Sequence, residues 1–96
     1  MSDLELLKQD LQIITNKRPD LQHLAKRDEY LESLLASAKS FLAREGIKET
    51  DSDEYQTINV QYAAYLFRKR AGEATAMPRY LRWEMNNLLM YQKATE

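Results

Sequence analysis

Ninety-six residues with two glycines, two prolines and no cysteine describe one domain, 1–96, built without disulfides or thiolate metal ligands. A net charge of −1 argues against a chain devoted to nucleic acid, which is usually basic overall. Scarce breakers and many Leu, Ala, Glu, Lys and Gln argue for an all-α fold. No run approaches the length of a membrane span, so no membrane association is expected. The opening MSDLELLKQDL lacks the basic start and apolar block of a signal peptide, and the expectation is an intracellular protein or one released by lysis.

The first predicted helix starts at Ser2, with Glu5 three residues on in the pattern of a capping box. Leu4, Leu7, Leu11 and Ile14 recur at helical spacing, and Pro19 forbids continuation beyond Asn16-Lys17-Arg18. Residues 19–27 form a connector with one helical turn holding Leu21 and Leu24. His23, the only histidine, has no Cys, second His or nucleophile to work with and is expected to be exposed. Asp28 is the expected cap of a second long helix, with the stripe Leu31, Leu34, Leu35, Ala38, Phe41 and Leu42. Gly46 stands where a left-handed C-terminal cap is wanted, and Ile47 beyond it can fold back.

Residues 48–54, KETDSDE, read as an acidic loop in which Asp51 and Glu54 form a second capping box. Asp51 and Asp53 mimic the first two ligands of a calcium loop. Gln56 and Tyr62, however, stand where that loop needs Gly and Glu, so capping is the better reading. The stretch Tyr55–Arg70 is apolar on two sides. Tyr55, Ile58, Tyr62, Tyr65 and Leu66 fall on one, and Val60, Ala63, Ala64, Phe67 and Ala71 on the other. A helix apolar nearly all round is usually buried, which predicts a compact bundle of four main helices with helix 55–70 central. Its last turn, Arg68-Lys69-Arg70, is expected to emerge into water.

After a small-residue loop at 71–76, Met77-Pro78 opens the last helix with Pro78 at the first helical position. Leu81, Met85, Leu88, Leu89 and Gln92 share the face expected to meet the core. Trp83 and Met90 lie opposite, with Arg79, Arg82 and Asn86. A Trp and a Met framed by arginines have the composition of a protein–protein hot spot. Nothing in the chain forms a phosphate loop, a nucleophile motif or a Cys/His cluster, so neither enzymatic activity nor a cofactor or metal is expected. Charge is divided along the chain. Residues 1–65 carry eight Lys/Arg and twelve Asp/Glu, a balance of −4, and residues 66–96 carry six and three, a balance of +3. That suits head-to-tail contact between copies.

The order of segments resembles the small helical head–tail connector (adaptor) family of tailed bacteriophages. The resemblance covers about residues 28–93. It rests on Leu31, Leu34, Leu35 and Ala38 with the Arg44-Glu45-Gly46-Ile47 stop, on Tyr62-Ala63-Ala64-Tyr65-Leu66, and on Met77-Pro78-Arg79 with Leu81, Asn86-Asn87 and Leu88. It implies a structural virion protein of a phage or prophage, present in the host bacterial cytoplasm during assembly. Copies would form a ring below the portal protein and receive a tail completion protein, while DNA passes through without specific binding. The interface set is then Arg68, Lys69, Arg70, Arg79, Arg82, Trp83, Asn86 and Met90. The possible lumen-facing set is Glu49, Asp51, Asp53 and Glu54. Two other readings compete. One is a small nucleic-acid-binding helical module using the basic 68–82 region, with Tyr65 and Tyr80 nearby. The other is an accessory phage adaptor that forms no ring.

Overall fold

The computed structural model describes residues 2–72 and 76–95; the central residues of the small-residue loop expected at 71–76 lie outside them. Four long helices and one short one follow in order: α1 (Asp3–Lys17), α2 (Gln22–Ala25), α3 (Asp28–Arg44), α4 (Asp53–Arg70) and α5 (Arg79–Ala94). A 3₁₀ turn, Pro19–Leu21, precedes α2. No strand occurs among the described residues.

Local chemistry sets the helix ends. The Glu5 N–H donates to Ser2 Oγ at 3.2 Å, and the Ser2 hydroxyl donates to Glu5 Oε1 at 3.1 Å, so the first cap forms where expected. At the end of α1 the Arg18 N–H donates to the Ile14 carbonyl at 2.8 Å before Pro19 turns the chain. Gly46 takes φ 89°, and the Ile47 and Gly46 N–H groups donate back to the Leu42 and Ala43 carbonyls at 2.9 and 3.0 Å. This is the Schellman arrangement, and it returns Ile47 to the core at 2% exposure.

Three expected ends differ. Asp28 is not the cap of α3 but its first residue; Arg27 precedes it with no side-chain cap bond. The Asp28 carboxylate instead takes Lys8 Nζ at 2.7 Å. Asp51 does not cap α4. Ser52 does, its hydroxyl accepting from the Tyr55 N–H at 3.2 Å, so Asp53 and Glu54 belong to the helix rather than to the acidic loop. Pro78 stands one position before α5 as its N-cap, and its carbonyl accepts the Arg82 N–H at 3.2 Å.

Helix α4 is the axis of the bundle, and α1, α3 and α5 each pack against it. Ten of its residues, from Tyr55 to Phe67, are buried. On one side Tyr62 stacks on Phe41 with centroids 5.6 Å apart, and it meets Tyr65 edge-on at 5.9 Å. On another, Phe67 meets Tyr30 near the start of α3 at 6.2 Å. Helix α1 runs parallel to α4. Asp3 at its start accepts from Gln56 Nε2 at 2.8 Å and Asn59 Nδ2 at 3.3 Å, and Asp10 lies 3.9 Å from Arg68. Asn59 is fully buried, and its Oδ1 has no hydrogen-bond partner. That uncompensated oxygen costs about 1–3 kcal/mol, which the surrounding packing must exceed.

Helix α5 covers the remaining side of α4 with Leu81, Met85 and Leu88. Its C-terminal end is held by Gln92, placed on the core face by sequence. The Lys48 N–H donates to Gln92 Oε1 at 2.8 Å, and Gln92 Nε2 donates to the Lys48 carbonyl at 2.9 Å. One side chain thus satisfies both backbone groups of a residue outside any helix. It ties the chain after α3 to α5.

Candidate functional site

The buried stripe of α5 leaves the opposite face with nothing to cover it. Trp83 is 66% exposed, Met90 68%, Tyr91 63% and Tyr80 52%. Apart from Ile13 on α1, these are the exposed large apolar side chains among the described residues. At 3.6 residues per turn, Trp83 and Met90 lie one above the other, two turns apart. Tyr80, Asn87 and Tyr91 flank them on one side, and Arg79, Arg82 and Asn86 on the other. An exposed apolar strip of this kind is a candidate contact surface. Composition analysis placed Trp83, Met90, Asn86 and the two arginines here. It did not find that Tyr80 and Tyr91 extend the strip, although their spacing from Trp83 is a readable signal.

The cations divide into engaged and open ones. Arg68 is half-buried and directed at Asp10 of α1, so the last turn of α4 does not emerge whole into water. Lys69 stands over the Tyr65 ring at 6.0 Å. Arg82 reaches Glu45 at 3.7 Å across an exposed gap. Arg70 and Arg79 are exposed and make no ion pair among the described residues. The interface set inferred from sequence comes from two helices. Arg79, Arg82, Trp83, Asn86 and Met90 share the outer side of α5, while Arg68, Lys69 and Arg70 lie at the end of α4.

Acidic residues gather at the other end of α4. Asp53 and Glu54 occupy its first turn, where the helix dipole favours them. Glu49 is bound to Lys39 at 3.2 Å. Asp51 is exposed in the connecting loop. Burial pushes the Tyr55 phenol above its usual range, and the nearby Glu49 and Asp3 carboxylates add to the shift.

Between the start of α4 and the middle of α5 lies an open groove of about 540 Å³. Ile58 and Leu88 form its floor, Tyr91 one wall, and Asp53, Glu54 and Glu84 its acidic rim. Sequence reasoning missed this groove because its residues come from two helices. No set of three or more carboxylates, histidines or cysteines among the described residues is arranged to hold a metal ion. His23 is exposed on the single turn of α2. No helix among the described residues is long and apolar enough to cross a membrane. The described surface carries an aromatic strip edged with cations and an apolar groove edged with anions. Comparison with protein-family models, curated proteins and solved structures finds no match to this chain.

Proposed function

We propose that this protein is a non-enzymatic assembly protein of tailed phages or prophages, a head–tail connector. Copies form a ring under the portal, through which DNA passes and onto which a tail completion protein docks. The observation that supports this reading best is the uncovered outer face of α5. Four large, mostly apolar side chains are left in water there, and with the two arginines beside them they have the composition of a protein-binding surface. The segment pattern over residues 28–93 gives the reading its specific form. The separation of carboxylates and cations to opposite ends of α4 suits contact between unlike surfaces of neighbouring copies. The nucleic-acid reading is weakened because Arg68, one of its phosphate ligands, is half-buried and directed at Asp10.

The test is to express a tagged copy in the bacterium that produces the particles, purify intact particles and empty heads, and look for the protein. Incorporation at a fixed number of copies per particle, with ring density beneath the portal, supports the reading. Particles free of the protein overturn it.

A further inference from the structure

We propose that Trp83 on the outer face of α5 seats in the Asp53–Glu54–Glu84 groove of a neighbouring copy. The inference rests on α5 being the assembly surface and adds what it docks against. Three observations carry it.

The groove and the strip are complementary. Its apolar floor, Ile58 and Leu88, suits an aromatic side chain, and its rim of three carboxylates suits the arginines beside Trp83. Asp53, Glu54 and Glu84 make no ion pair among the described residues, and neither does Arg79. Arg82 is held only at 3.7 Å by Glu45 and can turn outward at little cost.

Trp83 does not line the groove of its own copy. Trp83 points about 80° around α5 from Tyr91 and about 140° from Leu88, by the 100° step of the helix. Its own side chain therefore stays outside its own groove.

An antiparallel face-to-face pairing of two identical α5 strips is disfavoured. A two-fold axis perpendicular to the helices would bring Arg79 and Arg82 of one copy against the cationic flank, including Lys93, of the other. Head-to-tail contact, strip into groove, brings the arginines of one copy to the carboxylates of the next. Such a contact leaves one strip open at one end of a pair and one groove open at the other, so it propagates until a ring closes.

The test is complementation in the isolated protein. Two variants are prepared: Trp83→Ala, with no strip residue to insert, and Glu54→Lys/Glu84→Lys, with a reversed groove. Self-association is followed by sedimentation velocity and amide NMR up to about 1 mM, the range a contact of this size and exposed ion pairs reach. The parent is expected to associate, with shifts centred on the Trp83 indole and on Ile58 and Leu88. Each variant alone should lose association about tenfold or more. An equimolar mixture should form a one-to-one pair that does not grow, because each partner retains one working surface. Circular dichroism matching the parent verifies folding. If charge reversal unfolds the chain, Glu54→Gln/Glu84→Gln replaces it. A parent that stays monomeric, a variant that associates like the parent, or a mixture no different from its components overturns the proposal. If Trp83 proves necessary for incorporation into particles while complementation fails, the assembly reading stands and the groove is not its partner.

Discussion

Replacing Phe67 with alanine tests whether α4 is the axis of the fold. Phe67 is the largest of the fully buried side chains, 1% exposed, and its ring lies 6.2 Å from that of Tyr30. Truncation removes its transfer free energy and leaves a cavity that three packed helices cannot close. A Phe→Ala change in such a site costs about 3–5 kcal/mol. A domain of this size has about 5–15 kcal/mol in all, so the loss is a large fraction of its stability. Each 1 kcal/mol lowers the midpoint by about 4–8 °C, so the melt followed by far-UV circular dichroism should fall by about 12 °C or more. A fall of less than about 4 °C would mean that the site collapses freely, and the central position of α4 would be wrong.

Two further results follow from the same structure. Ser52→Ala should cost about 1 kcal/mol by urea unfolding, because it removes the acceptor for the Tyr55 N–H, whereas Asp51→Ala should change little. The reverse order would restore Asp51 as the cap. Burial raises the Tyr62 phenol, with Tyr65 and Glu45 adding to the shift and Arg82 opposing it; burial likewise raises Tyr55. The folded state therefore holds these protons more tightly than the unfolded chain. Their contribution to stability is complete below the unfolded value near 10.0 and is lost as pH rises toward the folded values. Melts at increasing pH, with phenolate absorbance read in parallel, should show stability falling above about pH 10 with delayed ionisation of part of the tyrosine signal. Ionisation of all six tyrosines together at the ordinary value, well before unfolding, would contradict this.

How far the fold was legible depends on whether one helix or two had to be read. The two-sided apolar pattern of 55–70 was enough to place α4 at the centre, because a helix without a polar face has nowhere else to go. The stops at Pro19 and Gly46 were legible because each residue has few conformations or a special one. The cap of α4 was not, since Asp51, Ser52 and Asp53 are adjacent candidates. Asp51–Glu54 even fits the capping pattern better than Ser52–Tyr55. Burial of Tyr55 and Ile58 fixes the helix phase, and spacing alone does not. The Gln92 clamp on Lys48 joins residues 44 positions apart, and the Asp3 bonds to Gln56 and Asn59 span more than 50. Such pairs have no local signal. The outer strip was partly legible: Trp83 and Met90 stood out against the core stripe, but the acidic groove needed α4 and α5 side by side. Sequence also could not tell an engaged cation from an open one, and so grouped Arg68 with Arg79.

The most direct test of the account is Trp83→Ala measured two ways in the same preparation: the melting midpoint of the purified protein and its copy number in purified particles. Because Trp83 is 66% exposed, the account predicts a midpoint within a degree or two of the parent and incorporation reduced about tenfold or more. A variant that melts far below the parent, or one that enters particles at the parent's level, would contradict the assignment of the α5 outer face as the assembly surface.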